Sequence, residues 1–198
     1  MSAPVAPALR ILRAAEQTAV PWKNGGGLTR ELATHPAGSD LAQFDWRVSI
    51  ATIHAAGPFS HFPGIQRRMA VLDGCLSLSI GGAAALSLSA DCLPLEFAGE
   101  AAVTAAPLGG TVTDLNVMTR RGRFDGQLQR HSLSGHLSFA PFAGTRIVVA
   151  LGELEVRGAA PEASLGRLDG LLIEARASCE LRARGVVAFY VIELSAQA

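Results

Sequence analysis

The chain has 198 residues, 49% of them hydrophobic and only 17% charged, which is ample material for a core and argues against a disordered tail of any length. Seventeen basic side chains balance seventeen acidic ones, for zero formal net charge, so there is no electrostatic footprint for nucleic acid or an anionic membrane. Partners are expected to be small molecules or proteins.

From the start of the chain, "APALRILRAAE" places Arg10 and Arg13 where a secretory signal needs an unbroken apolar run, and a cytoplasmic location is expected. Next comes "PWKNGGGLTRE", Pro21 to Glu31, with three consecutive glycines. Glycine loses more backbone entropy on ordering than any other residue, so Gly25, Gly26 and Gly27 imply a sharp turn or a close approach. A phosphate loop is excluded by order, because Lys23 precedes the glycines where that motif needs a lysine after them. Lys23 is the only lysine of the chain; it is either retained for its compact ammonium or an incidental surface residue.

"FDWRVSIAT" alternates Phe44, Trp46, Val48 and Ile50 against Asp45, Arg47, Ser49 and Ala51, so Arg47 and Ser49 share one face of a strand. The uncharged run from Gly74 to Ala90 is nearly long enough for a membrane span, but Ser77, Ser79, Ser87 and Ser89 alternate with leucines, the period of strands. "CLSLSI" and "ALSLS", joined through "GGAA", read as a hairpin. Cys75, Cys92 and Cys179 lack a CxxC or a histidine at ligand spacing and read as reduced core residues. "TVTDLNVMT" is a further strand. "RGRFDGQLQRHSLSG" interrupts the apolar pattern, and "TRIVVALGELEVR", "GLLIEA", "CELRA" and "VVAFYVIELS" follow as more strands. Many short strands with Gly, Pro and Ser between them indicate an all-β sandwich or barrel, in two blocks, residues 1–123 and 124–198. Whether the second block shares the core of the first is left open.

"GPFSHFPGIQRRMAVLDG" resembles the first signature of a cupin jelly roll, without the ligands. Such a site needs three or more nitrogen or oxygen donors, and only His61 stands in this motif; no metal and no cofactor is expected. With "PWKNGGGLTRE", "FDWRVSIA" and "TDLNVMTRRG" in order, it resembles the HutD/Ves family. That resemblance implies a two-cupin jelly-roll fold, a bacterial, cytoplasmic protein linked in the HutD branch to histidine utilisation, and a ligand-sensing or regulatory part.

The expected site joins the glycine segment to the strand face of Arg47. Consecutive glycine N–H groups make an anion-binding concavity, Arg47 adds a fork suited to a carboxylate, Asn116 orients the ligand and Met118 supplies an apolar wall. The ligand-binding set is Lys23, Asn24, Gly25, Gly26, Gly27, Thr29, Arg30, Glu31, Arg47, Ser49, His61, Arg67, Asn116, Met118 and Arg120. Arg47 pairing with Asp45 or Glu31 is the plainer alternative, as are Trp22 in the core, His61 capping a turn and a solvated "TRRGRF". No nucleophile elbow, HExxH or matched acid pair is present, so catalysis is the weaker reading. The expected function is binding of a small anionic metabolite, urocanate or formylglutamate for a HutD-like chain, without turnover and with a regulatory role. The alternative is a metal-independent lyase or isomerase, and a homodimer is left open.

Overall fold

Period-two alternation becomes strands in the computed structural model, which describes residues 9–158 and 163–197. The first three residues of "APALRILRAAE" lie outside them. In chain order the strands are β1 (Leu9–Leu12), β2 (Ala19–Pro21), β3 (Gly27–His35), β4 (Trp46–Ile53), β5 (Gly57–Pro58), β6 (Ile65–Asp73), β7 (Cys75–Ile80), β8 (Leu86–Ser89) and β9 (Leu95–Ala98). There follow β10 (Val103–Pro107), β11 (Val112–Arg120), β12 (Phe124–Phe139), β13 (Thr145–Ala150), β14 (Leu154–Arg157), β15 (Ala163–Leu165), β16 (Gly170–Ile173) and β17 (Cys179–Ala196). The one helical segment among the described residues is a 3-10 turn at Ala14–Glu16, and no helix is long and apolar enough to cross a membrane.

Two compact units result. The first is built on Gln17–Gln129. It holds a six-stranded sheet, ordered β2-β3-β4-β11-β6-β9, and a four-stranded sheet, ordered β5-β10-β7-β8. "GGAA" is the turn of the β7–β8 hairpin, which pairs Leu78 with Leu86. Ile53, Met69, Val71 and Val112 from the larger sheet pack with Leu76, Leu78, Val103 and Ala105 from the smaller. Burying each Leu or Ile here stabilises by about 1.5–3 kcal/mol, and truncating fully buried Leu76 or Leu78 to Ala costs about 2–5 kcal/mol.

The second unit takes residues 9–16 and Arg130–Ser195. Its seven strands form one sheet, ordered β1-β16-β13-β17-β14-β15, with β12 paired to β17, over a core that includes Val148, Leu154, Leu171, Leu181 and Phe189. The chain is therefore all-β, with the expected two-cupin jelly-roll architecture.

Two segments differ from the strand pattern expected of them. "RGRFDGQLQRHSLSG" contributes most of a 16-residue strand, β12: its buried positions are Gly126 and Leu128 on one parity and Leu133 on the other, set among exposed polar residues, so no sustained period-two pattern stands out. "CELRA" and "VVAFYVIELS" are one 18-residue strand, β17, because its first part pairs with β14 and its last part with β13, and the strand runs straight through Gly185 between them.

Candidate functional site

The register of the six-stranded sheet decides which side chains meet. One row across it is Glu31, Ser49, Asn116 and Met69. The next is Arg47, Met118, Arg67 and Phe97, and a third is Thr29, Ala51, Asp114 and Val71. All share the face of Ile53 and Val71, which lie in the first unit's core. Polar groups thus stand in the interior, with Arg47 and Ser49 on one face as the parity of "FDWRVSIAT" indicates.

They are linked. Arg47 Nε donates to Glu31 Oε2 at 2.7 Å and its Nη1 to Ser49 Oγ at 3.3 Å. Arg67 Nη2 donates to Asn116 Oδ1 at 2.7 Å, and Asn116 Nδ2 donates to Asp114 Oδ1 at 2.7 Å. Exposure falls along this series: the side chains of Glu31 and Arg47 are 39% and 14% exposed, Arg67 and Asn116 are each 6% exposed, and Asp114 is fully buried. A polar track runs from solvent into the barrel.

At its inner end two atoms have no partner, Arg67 Nε and Asp114 Oδ2. The Arg67 guanidinium lies 4.8 Å from the Phe59 ring centroid and 5.1 Å from that of Phe97, a pair of cation–π contacts that a lysine would fit poorly. Burial pushes it down to about 10, helped by Arg47 and opposed by Asp114. It stays charged at neutral pH. Burial likewise raises Asp114 from 3.8 to about 7, against the pull of Arg67, Asn116 and the Ala51 backbone. This interior sets the guanidiniums of Arg47 and Arg67 against the carboxyls of Glu31 and Asp114, and burial weakens the negative charge of Asp114, a balance that suits an added anion.

The glycine loop serves the fold first. It closes the β2–β3 hairpin, with Pro21 opposite Leu28. Gly25 adopts a φ of +70°, which an L side chain resists, and its N–H bonds Trp22 O at 3.0 Å. Gly26 N–H is taken by Asn24 Oδ1 at 3.1 Å. What approaches Gly27 is protein: a Cβ there would stand 2.5 Å from Thr52 O and 3.2 Å from the Trp22 ring. The N–H groups of Gly25 and Gly26 are thus used inside the loop and do not form the expected concavity. Trp22 packs on the barrel core, edge-on to Phe59, and donates Nε1–H to Thr29 Oγ1 at 2.8 Å.

Of the expected set, Glu31, Arg47, Ser49, Arg67 and Asn116 come together. Thr29 and Met118 share their face; Met118 packs with Phe44 and Ile65. Lys23, Asn24 and His61 are exposed on loops, and Arg30 pairs across from Ile50 on the opposite face of the sheet. Arg120 is not at a rim: β11 ends there, and its guanidinium holds the carbonyls of Phe44 at 3.0 Å and Ala42 at 2.9 Å. The rest of "TRRGRF" is similarly committed, Arg121 to Ile65 O at 2.8 Å and to Glu100 and Arg123 to Asp45 at 2.8 Å. Asp114 is the group absent from the set, although its parity with Asn116 in "TDLNVM" carries the signal.

Among the described residues no three His, Cys, Asp or Glu side chains are grouped to hold a metal ion, so the donor set does not fit the metal that cupin barrels often carry. All three cysteines are free thiols; Cys179 is buried while Cys75 and Cys92 are half-buried.

A family model described as HutD matches residues 14–190. The chain belongs to the HutD family. An uncharacterised 21.2 kDa protein in the hutC 3' region of Pseudomonas putida is 36% identical over 171 residues, spanning 84% of this chain and 87% of that protein. Protein Ves of Cronobacter sakazakii is 38% identical over 109 residues, 54% of this chain and 59% of Ves. Among solved structures, HutD from Pseudomonas fluorescens SBW25 superposes with a TM-score of 0.80 at 31% identity, over 96% of this chain and all of that one. YhhW from Escherichia coli, at 11% identity and a TM-score of 0.67 over 93% and 97% of the two chains, shares the fold. A HutD-family barrel thus carries the Glu31-to-Asp114 track on its inner face.

Proposed function

We propose that this HutD-family chain binds a small anionic metabolite on the track between Arg47 and Arg67, without turnover, as a regulatory sensor of histidine utilisation acting in the cytoplasm. One observation carries the reading: Arg67 is buried against two phenyl rings with Nε unpartnered. Burying a guanidinium is costly unless it is paired, and the Asp114 carboxyl, which acts on Arg67 through its charge, is hydrogen-bonded to it only by way of Asn116. A carboxylate ligand supplies the missing charge and acceptor. The association of a relative with a hut region favours urocanate or formylglutamate.

Calorimetric titration of the protein with each compound tests this. Binding is expected in at least one case, weakened tenfold or more, about 1.4 kcal/mol per tenfold step, in Arg67→Met and Arg47→Met variants that remain folded. A failure of both compounds to bind the wild-type protein would refute it.

A second reading, a metal-independent lyase or isomerase, is favoured by Asp114, which at about 7 is poised to exchange a proton. It requires consumption of a bound carboxylate, followed by proton NMR, and loss of that turnover in Asp114→Asn.

A further inference from the structure

The anion-binding reading accounts for the cations of the track and leaves Asp114 unexplained. A carboxylate at the bottom of an anion site is counterproductive unless the ligand brings something for it to accept. Asp114 Oδ1 is occupied by Asn116 Nδ2 at 2.7 Å, while Oδ2 is buried with no partner. Its direct cross-strand neighbours on this face, Ala51 and Val71, offer no side-chain donor, and the Ala51 backbone, which acts on the carboxyl, makes no hydrogen bond to Oδ2. A buried acceptor left unmade costs about 1–3 kcal/mol, and native proteins keep few of them.

Asn116 fixes the polarity of the whole arrangement. Its oxygen must face the Arg67 guanidinium and its NH2 the Asp114 carboxylate, since the flipped amide would set donor against donor and acceptor against acceptor. The inner end therefore holds one buried, unpartnered donor, Arg67 Nε, and one buried, unpartnered acceptor, Asp114 Oδ2, with the rings of Phe59 and Phe97 against the Arg67 guanidinium.

We propose that Asp114 is the specificity-determining acceptor of the site, so that the barrel selects flat carboxylates carrying an N–H donor, such as an imidazole or amide, over carboxylates of the same shape without one. This rests on the anion-binding reading above and narrows it. Sites built to bond a ligand N–H or O–H reject analogues that lack it, because their own buried polar groups are then stranded.

The experiment compares urocanate with 3-(3-furyl)acrylate, a planar carboxylate of similar shape with no N–H, by calorimetry at pH 8.5, where Asp114 is ionised. Wild-type protein is expected to bind urocanate at least tenfold more tightly. In Asp114→Asn the carbonyl oxygen keeps its place opposite Asn116 Nδ2, so an amide NH2 replaces Oδ2 and the acceptor becomes a donor; the ratio between the two ligands should fall to one or invert. Equal binding of both compounds by the wild type would overturn the proposal while leaving anion binding intact, and needs no variant to show it. A folded Asp114→Asn, judged by its thermal melt, that keeps the wild-type ratio would also overturn it. Binding of neither compound would overturn this proposal, and a failure of formylglutamate to bind as well would refute the anion-binding reading with it.

Discussion

Arg67 and Asn116 meet at 2.7 Å through a guanidinium donor and an amide oxygen, and the nitrogen of that amide serves Asp114 at the same distance. One neutral side chain thus answers a buried cation and a buried acid. Asn116→Leu leaves both without it, and stability is expected to fall by about 3 kcal/mol or more. Urea unfolding measures the change. A loss below about 1 kcal/mol, the worth of one ordinary hydrogen bond, would mean that Arg67 and Asp114 find each other directly.

Asp114 gives the protein a pH signature opposite in sign to that of a salt-bridged acid. Its folded-state value, about 7, lies above the ordinary 3.8, so between about pH 4 and 7 the folded chain holds a proton that the unfolded chain has released. Stability from this group is greatest below that window and declines as pH rises through it, by about 1.4 kcal/mol for each pH step of one. The charged groups arrayed around it are Arg67 on β6, Arg47 on β4 and Glu31 on β3. Relative to wild type, Asp114→Asn should gain stability between pH 5 and pH 8. Chemical unfolding of both proteins across that range checks it, and parallel pH profiles would contradict it.

Within the glycine loop Gly26 and Gly27 separate. Gly27→Ala drives a methyl group against Thr52 O and Trp22 and is expected to cost about 1–3 kcal/mol in strain. Gly26→Ala meets its nearest atom, Asn24 Oδ1, at 3.4 Å and should change stability by less than about 1 kcal/mol. Thermal melts rank them. The reverse order would show that the loop is held by something other than these approaches.

Arg120→Ala removes two guanidinium bonds to the carbonyls of residues 42 and 44. A loss of about 1.5–3 kcal/mol is expected, with ligand affinity unchanged in the folded protein. A tenfold loss of affinity at unchanged stability would return Arg120 to the binding set.

The sheet faces are legible where alternation is strict. "FDWRVSIAT" puts Arg47 and Ser49 on one face because the other parity is uniformly apolar; both faces of β4 are covered, so the alternation pairs these residues without saying which side is the barrel interior. Arg120 shares the parity of Asn116 and yet leaves the site, because parity says nothing beyond the end of a strand, where backbone carbonyls compete for a long side chain. The glycines announce a constraint without naming its source: Trp22 and Thr52 lie on either side of the segment in sequence, and only the folded hairpin brings them to Gly27. Asp114 escapes any reading that weighs an acid only as half of a catalytic pair. β12 and β17 are obscured by their polar exposed sides.

The strand at the start of the chain pairs with one near its end, Leu9 opposite Ile173 and Leu12 opposite Gly170. During synthesis, Gln17–Gln129 emerges with every strand partner of its two sheets in hand, so that unit can assemble early. β1 leaves the ribosome about 160 residues before its partner and must wait, unpaired, until β16 appears. A fragment beginning at Gln17 is therefore expected to leave the β16 edge bare, a row of open N–H and C=O groups of the kind that recruits another chain. Deletion of residues 1–16 should turn a well-behaved protein into one that self-associates, as sedimentation would reveal.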